Sequence, residues 1–139
     1  MSSFSPFKFT PPLLIESHFT MKRPKREEDV VNIHLCRNVV KKDEENSAIV
    51  ELKVQLNKEG DQEKEDACFV AEVTLQSIFT WPDDMDKTFV NSLLTVNAAS
   101  LLISYARPII VQLTAASPIP AYNIPFLNMN EIFKDVPID

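Results

Sequence analysis

Between Thr88 and Ser117 the chain runs for thirty residues with one charged side chain, Arg107. A surface helix of a soluble domain keeps a polar face, and this stretch is apolar most of the way round. It therefore needs cover twice, from a sheet on one side and from something further on the other. In a chain of 139 residues, a second copy of the same protein is the simplest further cover. Leu93 to Ala116 is long enough for a membrane span, but Asn97, Arg107, Pro108 and Gln112 interrupt it. An unpaired Arg at mid-bilayer is costly, so the reading is a buried helix. Phe89, Leu93, Val96 and Ser100 keep helical spacing, as do Val90, Leu94, Asn97 and Leu101. Asp86 or Thr88 fits the cap of the first turn. Pro108 lacks the N–H that would reach the Ser104 carbonyl, which predicts a kink or restart near Ser104.

The segment after the helix is apolar where loops are normally polar. It reads Ser117-Pro-Ile-Pro-Ala-Tyr-Asn-Ile-Pro-Phe-Leu127 and closes on a short helical signal, Asn130-Glu-Ile-Phe133. Ile119, Tyr122, Ile124, Phe126 and Leu127 thus sit on irregular backbone. Two readings stand side by side. The side chains fold back onto a sheet as core, or they form a surface that receives extended apolar polypeptide, since exposed apolar patches usually mark interaction sites.

Upstream, the pattern is that of strands. Leu13 to Met21 lies between Pro12 and Pro24 as a first strand. Val31, Ile33, Leu35 and Val39 alternate with Asn32, His34, Cys36 and Asn38; Val50, Leu52, Val54 and Leu56 alternate with Glu51, Lys53 and Gln55. Phe69, Ala71, Val73, Leu75 and Phe79 line one face of a fourth strand. Period-two alternation means half-buried strands, and successive strands joined by turns make an antiparallel meander with one dry face. The fold class is α+β: a four-stranded antiparallel sheet packed with two C-terminal helices joined by an apolar loop. Residues 1–12, with Phe4, Phe7 and Phe9 before Pro11-Pro12, read as a flexible arm, because proline removes donors and stops pairing. Residues 13–139 make one domain.

The bulk numbers exclude several functions. A net charge of −6 argues against nucleic acid, which needs clustered Lys and Arg. The single glycine, Gly60, rules out glycine loops that cradle nucleotides. Cys36 and Cys68 make no disulfide scaffold, and the N-terminus lacks the pattern of a signal peptide, so a reducing cytoplasm is expected. His34, Cys36 and Cys68 fall short of a zinc set, and Asp83, Asp84 and Asp86 lack the glycine and final glutamate of a calcium loop. With only His18 and His34 available, no nucleophilic triad can be assembled. The expectation is a protein that is not an enzyme and holds no metal or cofactor.

The order of elements and several short motifs resemble the SecB family of protein-export chaperones. Cys68-Phe-Val-Ala-Glu-Val73 with Ile78-Phe79 is similar to the family's last strand, and Tyr105-Ala-Arg107 to its helix signature. Pro120, Asn123 and Asn128, followed by Ile132-Phe133, are similar to its loop and the run into its last helix. The likeness covers residues 13 to 133. It implies an ATP-independent, cytoplasmic holdase that binds unfolded preproteins and keeps them competent for translocation, assembled as a homotetramer, a dimer of dimers. The client groove it implies falls on Ile119, Tyr122, Ile124, Phe126, Leu127 and Met129, and the sheet face that docks the SecA motor on Val70 and Glu72. Leu101 and Ile110 are expected at the oligomer interface, where an introduced charge splits the assembly.

The sequence also departs from that pattern. Two acidic positions of the family's first strand fall on His18 and Lys22, which weakens docking of a basic motor tail. Ser104 stands in place of the signature proline. A general export chaperone is the first reading, and a SecB-like chaperone dedicated to one client, such as an antitoxin, is the second. A carrier of a small apolar ligand in the same groove is the third, and it would need a closed pocket with converging polar groups.

Overall fold

The computed structural model describes residues 5–58 and 67–138. Phe4 and most of the charged hairpin loop containing Gly60 lie outside the described residues. One antiparallel sheet carries helices on a single face. Its strands are β1 (Lys8–Phe9), β2 (Leu13–Met21), β3 (Ile33–Lys42), β4 (Ser47–Leu56) and β5 (Phe69–Thr80). In space β3, β4 and β5 are adjacent in that order, and β1 and β2 share the far edge of β5. The edge strand is thus one line broken by Pro11-Pro12, with Lys8 opposite Thr80, Phe9 opposite Phe79 and Met21 opposite Phe69.

The alternating positions make the dry face. On β4, Ala48, Val50, Leu52, Val54 and Leu56 are all sealed, and on β5 Phe69, Ala71, Val73, Leu75 and Phe79 join them. On β3 the inward slot between Leu35 and Val39 belongs to Arg37, which is buried. On β2 the register shifts between Leu14 and Glu16, a bulge that sets half-exposed Leu14 opposite Leu75 and Glu16 beside Thr74. One extra residue in a strand reverses which side chains face the core.

The helical stretch starts where Asp86 accepts a hydrogen bond from the Phe89 N–H at 3.1 Å. It runs as α1 (Lys87–Ser92), a wide π turn over Leu93–Asn97, and α2 (Ala98–Ala115). The restart expected near Ser104 is not there, and α2 runs without interruption from Ala98 to Ala115 through Pro108. Ser104 and Pro108 are both exposed, so the carbonyl that loses its partner faces water, the side on which curved helices already lengthen their hydrogen bonds. The irregularity is the wide turn upstream. Lys87–Ala115 is long and apolar enough to cross a membrane by length and composition, and 39% of its apolar window is buried, so the single chain covers less of it than the buried-helix reading expects. Val90, Leu94, Leu102 and Ile110 face the core, and Ala98, Ala99 and Ala106 let the helix close on β4 and β5. After a loop, α3 (Met129–Phe133) begins at Asn128, whose side chain accepts from the Glu131 N–H.

Two expectations shift. The arm over residues 1–12 was read as loose, but its described part is seated. Phe7 stacks on Phe79 with ring centroids 5.5 Å apart, Phe9 reaches Tyr105, and Thr10 donates its N–H to the Ile78 carbonyl at 2.9 Å. Aromatic burial outweighs the donors that the prolines remove. Ile110, expected at the oligomer interface, has no exposed surface within the single chain, whereas Leu101 is half-buried. Ile110 sits on the helix face that meets the sheet, so it is a core residue.

Candidate polypeptide-binding surface

The loop from Ala116 to Asn128 carries no regular structure, so its backbone groups need other partners. Buried Thr114 supplies one: its Oγ1 accepts the Tyr122 N–H at 2.7 Å while donating to the Ile110 carbonyl at 2.9 Å. Arg107, the one charge on the long helix, supplies two more. Its guanidinium donates to the carbonyls of Ile124 and, at 3.1 Å, Pro125. The loop is thus pinned to α2 in the middle of its apolar run, at Tyr122 and at Ile124 and Pro125.

Pinning sorts the side chains. Ile119, Ile124 and Met129 turn inward and are buried; Tyr122 and Leu127 are half-buried; Phe126 is 94% exposed. Most of the apolar loop therefore serves as core within one chain, and Phe126 is the side chain the clamp leaves in solvent.

Ile119 and Tyr122 also line a small cavity of about 140 Å³, together with Val30, Val31, Cys68 and Phe69. Its far wall is the connection from β2 to β3. There the Arg23 guanidinium grips both oxygens of Asp29 at 2.9 and 2.6 Å, and Asp29 accepts the Arg26 N–H at 2.6 Å. These contacts hold the Asp29 carboxyl far below the usual carboxylate range, the Arg23 hydrogen bonds foremost. Asn57, in the left-handed region at φ 54°, donates from its side chain to the Phe69 carbonyl at 3.0 Å and fixes the floor. Burial raises the Tyr122 hydroxyl and the Cys68 thiol above their ordinary values. Both are neutral at physiological pH, while Lys25 and the ionised Asp29 bring charge to the same lining.

A second, more open groove of about 710 Å³ lies between β2 and the last turns of α2, lined by Leu14, Phe19, Met21, Ile109, Leu113 and Pro118 among others. The loop bridges the two, since Ser117 and Pro118 line the groove while Ile119 and Pro120 line the cavity.

On the outer sheet face Val70 and Glu72 stand where the sequence put them, on β5. The structure adds Glu16, whose carboxyl shares a hydrogen bond with Glu72; this raises the Glu16 carboxyl and lowers that of Glu72. Gln55 donates to Glu72 at 2.8 Å, and His18 pairs with Thr20 at 2.9 Å. Glu16, His18, Thr20, Gln55, Lys58 and Glu72 border a shallow cavity of about 380 Å³. Lys22 is exposed at the exit of β2.

Three residues escaped the sequence reading: Glu16, Arg37 and Thr114. For Glu16 a signal existed in the run Leu13-Leu14-Ile15, three apolar residues where strict alternation allows none adjacent. Thr114 and Arg37 gave no such signal. Among the described residues, no three His, Cys, Asp or Glu side chains converge as metal ligands.

Over residues 15–136 the chain matches the family model of SecB, preprotein translocase subunit SecB. No curated protein sequence matches. Among solved structures, a SecB-like chaperone of Mycobacterium tuberculosis, in complex with a ChAD peptide from the HigA1 antitoxin, shares the fold. The TM-score is 0.65 at 12% identity, covering 87% of this chain and 90% of that one. A protein of unknown function from Streptococcus agalactiae gives a TM-score of 0.48 at 14% identity, covering 86% of this chain and 97% of that one.

Proposed function

This chain belongs to the SecB family, and on that premise we propose that it is an ATP-independent holdase that binds unfolded polypeptide through its apolar loop and the hollows beside it. The observation that supports this reading most directly is Phe126. It is a fully exposed aromatic on backbone fixed by Arg107, close in sequence to a cavity that can accept an apolar side chain. Burial of apolar surface contributes about 25 cal/mol per Å² and carries no direction. Such a surface holds many sequences and suits a client that has not folded.

The working unit is a homo-oligomer, a dimer of dimers in the cytoplasm. The exposed part of α2, the open groove beside β2, and apolar Leu13, Leu14 and Ile15 on the sheet edge are the surfaces a second copy covers. Delivery for export runs through the outer face, where Glu72 and Glu16 offer carboxylates beside Val70 to a basic partner such as SecA. His18 and Lys22 reduce that attraction, which favours a second reading: a chaperone serving one client. The mycobacterial SecB-like chaperone is in complex with an antitoxin peptide, which supports a polypeptide as the client.

The test is light scattering of a denatured, aggregation-prone protein diluted into buffer with and without this chain, with no nucleotide present. Suppression at near-stoichiometric oligomer is expected of a general holdase. Failure to suppress several unrelated clients, with the protein folded and oligomeric, sinks the general reading.

A further inference from the structure

Arg37 is the residue the apolar pattern of β3 does not explain. It is buried on the dry face, and its guanidinium gathers three separate parts of the chain. One nitrogen, Nη1, donates to the Thr95 carbonyl inside the wide turn. The other, Nη2, donates to the carbonyl of Val136 at 2.6 Å and, more weakly, of Pro137 at 3.3 Å. The guanidinium carbon stands 4.9 Å from the centre of the Phe133 ring. The Nε is buried and has no partner among the described residues. Burying a guanidinium is costly and lowers its proton affinity, so it needs acceptors on every donor. None of the acceptors here is a carboxylate. All are main-chain oxygens, which any polypeptide carries.

The segment Lys134–Ile138 that satisfies Arg37 is held thinly. Lys134, Asp135, Val136 and Pro137 are exposed, the Val136 N–H turns back to the Phe133 carbonyl at 3.0 Å, and Ile138 alone packs partly on the core. Its sequence, Lys-Asp-Val-Pro-Ile, is short and mostly exposed; besides its carbonyls on Arg37 it is tied by the Lys134 N–H to the Asn130 carbonyl at 2.9 Å, by Lys134 Nζ to Glu131 at 3.3 Å, and by Ile138.

We propose that Arg37, with the Phe133 ring beside it, is a docking site for extended main chain, and that residues 134–138 are its resident occupant. An extended apolar client segment displaces that occupant by offering its own carbonyls to the same guanidinium. The proposal rests on the holdase reading for the identity of the competitor, but not for the site itself. The resident segment holds the site at the high effective concentration of a short tether, so weak or folded polypeptide stays out and only a segment with several contacts displaces it.

The first test needs no client. A fluorescently labelled, acetylated peptide of residues 134–138 is titrated into the full chain and into Ile138→Asp, which weakens the resident segment, with anisotropy as readout. The variant should bind the peptide at least fivefold more tightly than the parent, and adding Arg37→Gln should remove that gain. Equal affinity for parent and Ile138→Asp overturns the site. Because Arg37→Gln risks the fold, a second measurement uses the unmodified protein: hydrogen exchange of residues 134–138 with and without a bound unfolded client. Faster exchange on client binding is expected, and unchanged exchange in a complex that does form overturns the displacement. A chain that suppresses no aggregation yet passes the peptide titration separates failure of the holdase reading from failure of the site.

Discussion

Thr114 and Tyr122 are joined by a 2.7 Å hydrogen bond from the Tyr122 N–H to a threonine hydroxyl with no exposed surface. The same hydroxyl donates back to the Ile110 carbonyl one turn earlier. One buried oxygen therefore ends the helix and begins the loop, and it places Tyr122 over the cavity.

Removing that oxygen should release the loop. Thr114→Val keeps shape and volume but leaves the Tyr122 N–H without its acceptor, which costs about 1–3 kcal/mol where the donor stays dry. Urea unfolding is expected to show this loss, with hydrogen exchange rising in residues 117–124 more than in the sheet. A valine variant as stable as the parent would mean that water takes over the bond.

The proposed oligomer should depend on Leu101 in a way it cannot depend on Ile110. Leu101 is half-buried in the single chain, whereas Ile110 is sealed inside it. Leu101→Asp is expected to give folded but smaller particles by light scattering, because the new charge would sit unpaired between copies. Ile110→Asp puts the same charge into the core and should lose the fold itself, seen as a collapsed circular dichroism spectrum. A folded, dissociated Ile110→Asp protein would contradict the packing described above.

The carboxylate pair on the outer face predicts a pH response of definite sign. The Glu16 carboxyl is raised, first by its hydrogen bond to Glu72 and then by the charge of Glu72, while the same hydrogen bond lowers Glu72. A raised acid contributes stability at low pH that is lost as pH climbs through its folded value. A lowered acid contributes stability at higher pH that is lost as pH falls through its own. The pair is best matched in the acidic window between the two, where it shares one proton, and it repels at neutral pH. Both groups meet solvent, so the effect is small. The parent should gain more melting temperature than Glu16→Gln on going from pH 7 into that window. A constant offset between the two proteins at every pH would remove the coupling.

Much of this fold was legible, for reasons that particular residues make plain. Burial on β4 alternates without exception because both its neighbours are strands and one face is dry, so Val50, Leu52 and Val54 declare the core despite an outward Ile49. The helix start was narrowed to Asp86 or Thr88, and the Asp86 side chain takes the Phe89 N–H. What stayed hidden depends on contacts across the fold. Nothing local marks Arg37, because its acceptors lie 58 and 99 residues away in sequence at Thr95 and Val136. Nothing local marks the seating of the arm, because Phe79 and Trp81, the partners of Phe7, come some seventy residues later. Pro108 announced a break that did not occur, since a missing hydrogen bond matters less on the wet side of a helix. For the candidate site, composition located the apolar loop but could not say which side chains turn in. That sorting comes from Arg107 and Thr114 gripping its backbone.

The sorting separates holding from folding. Ile124 and Phe126 are two residues apart on one clamped loop, one 5% and the other 94% exposed. Ile124→Ala should cost about 2–5 kcal/mol, as core truncations do, and any loss of client binding would follow the loss of structure. Phe126→Ala removes no packing within the chain, so its effect on stability should stay within about 0.5 kcal/mol, as for ordinary surface changes. If Phe126 meets the client, the same substitution should weaken binding of an unfolded polypeptide several-fold, because an aromatic anchor carries more of the binding energy than its neighbours. Denaturant midpoints and client titrations on both variants give the pair of numbers. A Phe126→Ala protein with parental stability and parental client affinity would move the binding surface away from the loop tip, to the groove beside β2.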